Sequence, residues 1–323
     1  MIVKNKKTKI PFKCSLHNGM RLTLSADKSY IRVDPWCTMG IMNAKPVGII
    51  QFNEIDHIDV YNKILSFYND NHDLNTVYKS CVTQNDNAAR NNIVIDRDDY
   101  NTINRNYICN WYDHPINKIE VSIQETCNLN CIMCRKNVII NKDIDVYYFK
   151  ILEQLKNHNI ERLQFTSLGE PFFYKEKLFN YLNSLTSNDF KDLIFISNLT
   201  LLNDDDINML AEILNRGIQV HLIASIDGIT EETYRSIRNN KFFDKVMHNA
   251  VELKKRNILY SVNFVLQDKN LHELMPAYEY WTNVVGVHFN VLPINQNDDD
   301  NIFYVKMINS DIYKNYIKMI SSK

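Results

Sequence analysis

Three cysteines stand close together in Cys127-Asn128-Leu129-Asn130-Cys131-Ile132-Met133-Cys134, at CxxxCxxC spacing. Three thiolates this near one another can wrap one face of an iron–sulfur cubane and leave its fourth iron without a protein ligand, whereas structural zinc and electron-transfer clusters usually take four ligands. An open iron is a site for chemistry. Two plainer readings stand beside it: a zinc knuckle that borrows a distant fourth ligand, and a chance cluster of thiols. Further polar groups recur in Ser167-Leu168-Gly169-Glu170-Pro171, in Ser197-Asn198-Leu199 and in Ser225-Ile226-Asp227-Gly228. Glu170 is a carboxylate able to accept from an ammonium group. Ser197, Asn198, Ser225 and Asp227 offer hydroxyl, amide and carboxylate partners for a ribose or an amino-acid carboxylate. Each alone has an ordinary structural use: a helix N-cap for Ser225 or Asp227, a turn at Gly169-Glu170-Pro171, a loop amide for Asn198.

The elements that must position these groups are legible as an alternation. Short apolar runs at 119–123, 163–166, 193–196, 220–224, 261–266 and 287–292 predict six strands. Between them, amphipathic stretches near 143–156, 175–187, 204–215, 242–256 and 271–283 predict helices, and Gly217 is placed to cap the third. Strand–helix–strand units of about 30 residues build right-handed parallel crossovers, so the fold class is α/β with a parallel sheet or barrel. The cysteines follow the first strand, and the other three groups follow the second, third and fourth. Ligands bind at that end of parallel strands. Four neighbouring strand ends with polar residues on one rim favour the chemical reading over the separate structural ones.

The chain has 323 residues, 37 basic and 38 acidic, and is 45% hydrophobic. Length suggests about two domains. A net charge of −1 removes the simplest argument for a nucleic-acid or anionic-membrane partner. The basic first residues are not followed by an apolar run, and no stretch approaches the ~20 apolar residues of a membrane span, so the expectation is a cytoplasmic protein. In a reduced compartment, seven cysteines are thiols or metal ligands rather than a disulfide framework. The pattern changes near residue 115. Before it, residues 20–24 and 30–33 alternate around a polar turn at 25–28 and predict a hairpin; Ile55, Ile58, Ile64, Leu65 and Tyr68 then fall at helical spacing. The expected organisation is a small α+β domain of hairpin plus helix over 1–114, the barrel over 115–295, and an acidic loop with a C-terminal helix over 296–323.

The stretch from about residue 119 to 292 resembles the radical S-adenosylmethionine (radical SAM) superfamily, through CNLNCIMC, the LGEP form of its GGEP motif, SNLTLL where many members have TNGTLL, and SIDGITEETYRSIR. The resemblance implies a partial, six-stranded TIM-like barrel and a [4Fe-4S] cluster held by Cys127, Cys131 and Cys134. The amino and carboxylate groups of S-adenosylmethionine would chelate the open iron. Glu170 and the backbone around Gly169 would meet the amino group, and Ser197, Asn198, Ser225 and Asp227 the carboxylate and ribose. Arg238 would pair the carboxylate or lie on a solvated helix face. Leu168 and Leu199 depart from the family by replacing glycines, with a loss of backbone freedom. The implied activity is reductive cleavage of S-adenosylmethionine to a 5′-deoxyadenosyl radical that abstracts hydrogen from a substrate, with a low-potential donor of flavodoxin or ferredoxin type. The alternative is a non-catalytic iron–sulfur or zinc protein, an electron carrier or interaction module derived from this fold.

Cys14 precedes the expected hairpin and Cys37 follows it, so antiparallel pairing brings the two thiols toward one end. With Cys81, this order resembles a degenerate twitch domain, the short relative of SPASM that carries an auxiliary iron–sulfur cluster. A CxxC pair in that family falls where Tyr78 and Cys81 stand, so one ligand is missing; the three cysteines would hold a cluster with an open iron, or Cys109, His57 or His72 would complete the set. Alternatively, Cys14, Cys37 and Cys81 are small buried side chains in a domain without metal. Such auxiliary domains imply a peptide or protein side chain as substrate, or a small alcohol or sugar. Iron analysis of the anaerobically purified chain separates the alternatives: about four irons per chain mean one cubane, about eight mean two.

Overall fold

The computed structural model describes residues 19–25, 29–35, 46, 48–70, 116–123, 125–134, 142–158, 160–165, 169–293 and 309–321. Its central strands show why the sequence folds as it does. Along Phe190–Ser197, buried Phe190, Leu193, Phe195 and Ser197 are set off by more accessible Lys191, Ile194 and Ile196. That period of two is a strand with one face in the core. Phe195 stacks on Phe165 of the neighbouring strand at 4.5 Å, and Phe172 and Phe179 continue the aromatic layer outward. Phe179 belongs to the helix Lys175–Ser184, so this layer fastens sheet to helix beneath the strand ends that carry Ser197 and Glu170.

In chain order the strands are β1 (Gly19–Leu24), β2 (Tyr30–Pro35), β3 (Gly48–Gln51), β4 (Lys118–Ser122), β5 (Ile160–Phe165), β6 (Phe190–Ser197), β7 (Gln219–Ser225), β8 (Leu259–Leu266) and β9 (His288–Pro293). They form one sheet ordered β3-β2-β1-β4-β5-β6-β7-β8-β9. Every neighbouring pair from β1/β4 to β8/β9 is parallel. Among the described residues the end strands β3 and β9 do not pair with each other, so the barrel is partial. All six expected strands are present. The helices are α1 (Val60–Asp70), α2 (Lys142–Gln154), α3 (Lys175–Ser184), α4 (Asp204–Asn215), α5 (Glu231–Arg238), α6 (Phe243–Lys255), α7 (Leu274–Glu279) and α8 (Asp311–Ser321).

Several boundaries follow from local chemistry. Asn203 caps α4 by accepting from the Asp206 amide while Asp206 returns the bond to the Asn203 amide, and Gly217 ends it at φ +90°. The expected helix over 271–283 is a 3₁₀ turn, then α7, then a π segment over Tyr280–Val285. The alternation of runs gives no separate helix over 231–238; α5 forms there because Thr230 caps it and Asn239, at φ +53°, stops it after eight residues. The four-residue strand β3 is too short for a periodic signal and exists through its antiparallel pairing with β2.

One sheet spans the pattern change near residue 115. β1 lies parallel to β4, in a register that places Met20 beside Ile119 and Leu22 beside Val121, and the hairpin expected at 20–33 is the β1/β2 pair. Arg21 Nη2 bonds Glu120 Oε2 at 2.7 Å across that joint. Gln154 of α2 accepts from the Val60 amide and donates to the Ile55 carbonyl, and so anchors α1 against the barrel's first helix. Cys14, Cys37, Cys81, Cys109 and His72 lie outside the described residues, as does the acidic run at 298–300. No described helix is long and apolar enough to cross a membrane. The Phe195→Ala chain, having lost a fully buried ring, is expected to be less stable by about 3–5 kcal/mol. An unchanged urea midpoint would contradict the role given to the aromatic layer.

Candidate functional site

Glu170, after the end of β5, is 2% exposed. It opens a 3₁₀ turn, Pro171–Tyr174, whose first position is proline, and its Oε1 accepts from the Phe172 amide at 3.3 Å. The structural use expected of this turn is thus present, but it occupies only part of the carboxylate. Oε1 also accepts from Ser197 Oγ at 2.7 Å, and Oε2 from the Asn198 amide at 2.8 Å. The Glu170 amide donates to the Thr126 carbonyl at 2.8 Å. The loop after β5, the end of β6 and the segment leading to the cysteines therefore meet at one residue, through its carboxylate and its backbone amide. Burial pushes the Glu170 carboxyl up to about 7, against the bonds from Asn198, Ser197 and Phe172 that favour its charged form.

Asn198 carries the connection to the thiols. Its Nδ2 lies 3.8 Å from Cys127 Sγ and 3.2 Å from Asn128 Oδ1, and its Oδ1 accepts from the Thr200 amide and hydroxyl. Asn128 in turn donates to Thr200 Oγ1 at 2.8 Å. Between these residues Leu199 adopts φ +62°, the left-handed region that glycine reaches freely and a leucine does not. Its carbonyl accepts from Asn249 Nδ2, which also reaches the Leu202 carbonyl, and its side chain is fully buried. The departure at Leu199 therefore leaves the tight backbone in place. Leu168 lies outside the described residues.

Cys127 and Cys131 are half-buried, Cys134 is exposed, and none is in a disulfide. The Cys134 amide donates to the Cys131 carbonyl, and the Ile132 amide to the Ile237 carbonyl of α5, both near 3 Å. Burial raises the Cys131 thiol's pKa; Arg238 opposes that shift, while Asp227 and the other two thiols add to it. Three soft, accessible thiols on one loop, two of them approached by N–H donors, suit an iron–sulfur cluster, whose sulfurs accept such bonds. No group of three or more His, Cys, Asp or Glu among the described residues is gathered so as to hold a metal ion. Ligands spread over the corners of a cubane need not converge on one point as ligands of a lone ion do.

The end of β7 supplies the other half of the site. Ser225 closes the strand opposite Asn263, and Asp227 follows, completely buried. Gly228 has no room for a side chain: a Cβ there would lie 2.7 Å from the Tyr234 amide nitrogen, so the loop can press onto α5 only with glycine. Arg238 is buried, not on a solvated helix face, and its Nε stands 2.6 Å from Asp227 Oδ2. That contact is an ion pair lying off the line of a hydrogen bond. Its Nη1 is 3.9 Å from Cys131 Sγ. Burial works to lower the Arg238 pKa, but Asp227 and Cys131 outweigh it and the group is held more firmly charged.

The structure thus brings Glu170, Ser197, Asn198 and Cys127 into one connected set and Asp227, Arg238 and Cys131 into another, with the cysteine loop between them and Gly169 and Ser225 adjoining. Thr126, Asn128, Thr200 and Asn249 were not anticipated. Asn128 and Thr200 sit inside the quoted motifs, which is a usable signal; Asn249 comes from α6, where nothing local marks it. Because Glu170 holds a proton more tightly folded than unfolded, its contribution to stability is fully present below its ordinary range near 4.5 and is lost as pH rises through about 7. Stability is expected to fall across that window by on the order of 3 kcal/mol and Glu170→Gln to flatten the slope. Urea unfolding between those pH values checks it, and equal slopes in both chains would refute it.

Residues 121–280 match the family model described as the Radical SAM superfamily. The uncharacterized protein MJ0907 of Methanocaldococcus jannaschii is 30% identical over 167 residues, 50% of this chain and 56% of that protein. The GTP 3′,8-cyclase of Clostridium botulinum is 28% identical over 141 residues, 42% of each. The chain spans about half the length of the curated relatives it matches. Among solved structures, Streptococcus suis SuiB bound to S-adenosylmethionine is 14% identical over 90% of this chain and 68% of that one, with a TM-score of 0.45. Native anSMEcpe with bound AdoMet is 17% identical over 60% of each, with a TM-score of 0.42. Likeness at that distance says nothing of substrate.

Proposed function

Residues 121–280 belong to the radical SAM superfamily, and from that premise we propose that this chain splits S-adenosylmethionine to initiate a radical reaction on a polar substrate. Cys127, Cys131 and Cys134 would hold a [4Fe-4S] cluster, leaving one iron to the amino and carboxylate groups of the cosubstrate. When bound, such a cluster would supply the one electron needed to break the S–C5′ bond of the cosubstrate, and so the means to take hydrogen from substrate. The remaining work belongs to the chain's own side chains. The observation that carries the reading is the unbroken path from buried Glu170 through Ser197 and Asn198 to Cys127 Sγ, which ties three strand ends to one thiol.

Glu170 would present a buried negative charge toward an ammonium group, with the backbone at Gly169 beside it, and that cation would favour its ionised form. Ser197, Asn198, Ser225 and Asp227 would define the carboxylate and ribose side of the pocket. Arg238 enters this reading through Asp227 and Cys131 rather than through the cosubstrate carboxylate. Holding C5′ close to one C–H bond and keeping water away are the contributions expected of such a site.

For the substrate we favour a peptide or protein side chain, or a small alcohol or sugar. That preference rests on the resemblance of residues 1–114 to a degenerate twitch domain. GTP, in the name of the Clostridium relatives, is the comparison substrate. The reading includes a cytoplasmic setting and a flavodoxin- or ferredoxin-type donor. A second cluster on Cys14, Cys37 and Cys81 in a twitch-like domain over 1–114 remains part of the proposal and is decided by the iron count.

Reconstituted anaerobically with iron, sulfide and dithionite, the chain should release 5′-deoxyadenosine from S-adenosylmethionine. Cys131→Ala should lower that release at least about a hundredfold, since loss of an outer partner alone can cost 10–100-fold in metal affinity. Full release by the variant, or a cluster spectrum indifferent to S-adenosylmethionine, would favour the carrier instead.

A further inference from the structure

The Asp227–Arg238 pair stands beside the thiol loop, and both groups are buried and held in a definite order. Asp227 is 0% exposed and Arg238 7%. A guanidinium is a planar fork with fixed donor directions. With its Nε edge 2.6 Å from Asp227 Oδ2, Nη1 comes 3.9 Å from Cys131 Sγ. The arrangement is pinned on both sides. The Ile132 amide donates to the Ile237 carbonyl, holding the cysteine loop against the last turn of α5 beside Arg238. Asp227 is gripped from the other side: Oδ1 accepts from the Val265 amide at 2.7 Å, and Asn270 Nδ2 donates to the carbonyls of Asp227 and Val265 at 3.0 and 2.9 Å. Glu273 secures the same loop through the Ile229 amide and the Thr230 hydroxyl. Sulfur, cation and anion are therefore linked in series.

Reduction adds negative charge to a cluster and its sulfurs. A donor and a positive charge at a ligating sulfur stabilise that added charge and raise the reduction potential, and water is a poor substitute where the group is buried. We propose that Arg238, acting on the Cys131 sulfur, sets the reduction potential of the cluster, and that Asp227 tempers its effect by neutralising part of the guanidinium charge. Groups that touch a ligand atom tune metal centres in this way without binding the metal. The inference rests on the assignment of the cluster to Cys127, Cys131 and Cys134, and its sign structure allows it to fail separately.

The test uses the full chain reconstituted anaerobically, with iron and sulfide counted per chain and the midpoint potential read by EPR at set potentials in the absence of S-adenosylmethionine. Arg238→Gln, which removes the charge, should titrate at a more negative potential than the parent. Asp227→Asn, which leaves the cation uncompensated, should move to a more positive one. Arg238→Lys keeps a charge without the fork and should fall between Arg238→Gln and the parent. A group that only props up the fold would not shift the potential in opposite directions in the two neutralising variants. The proposal is overturned if the Arg238 variants titrate with the parent, or if Asp227→Asn moves with Arg238→Gln. Should Arg238→Gln fail to fold or hold cluster, the opposite displacements of Asp227→Asn and Arg238→Lys decide. A parent chain without iron and sulfide at the three thiols overturns the cluster assignment and this inference together, whereas a loaded parent with unmoved variants overturns this inference alone.

Discussion

A carboxylate withdrawn from water must be surrounded by donors, and Glu170 imposes that requirement on everything near it. Its partners come from its own 3₁₀ turn and from the end of β6, while its amide reaches the segment before Cys127. The loops after β4 and β5 and the end of β6 thus cannot move independently. The aromatic layer of Phe165, Phe195 and Phe172 sits directly beneath and fixes the strand ends from below. Precision at the rim rests on this pairing of an apolar floor with a satisfied charge. Burial raises this carboxyl to about 7, and the bonds from Asn198, Ser197 and Phe172 work against that shift.

Leu199 shows how a chain with only seven glycines can build the same kind of rim. A left-handed leucine costs roughly 1–2 kcal/mol. Burying its side chain returns about 1.5–3 kcal/mol, and the bond from Asn249 holds its carbonyl in place. Backbone shape is thereby retained by packing from α6 instead of by the freedom of a glycine. At Gly228 no such substitution works, because the obstruction is backbone: the Tyr234 amide occupies the space a Cβ would need. The two positions mark a difference between strain, which packing can offset, and overlap, which it cannot.

The N-terminal strands extend the sheet that carries the polar strand ends. Pairing of β1 with β4 satisfies the edge that a barrel beginning at β4 would expose, and among the described residues the hairpin carries the sheet's edge outward to short β3. Arg21 and Glu120 seal the joint with a cross-strand ion pair. Shielding by β1 leaves Glu120 1% exposed, and burial raises its carboxyl above the usual range, with Arg21 opposing.

Period and spacing alone determined the six parallel strands, most of the helices, the cap at Gly217 and the four polar strand ends, because alternation and capping are local properties that need no partner to be read. The cysteine triad was legible for the same reason: its three members lie within one loop. Tertiary structure alone decided that Arg238 is buried against Asp227 and Cys131, that Asn249 braces Leu199, and that the hairpin joins the barrel sheet through β4. Each of these joins residues far apart in the chain, Arg238 and Cys131 by 107 positions. Nothing in either local stretch records the other, since a long-range contact is chosen by how packed layers meet and not by the residues on either side of it.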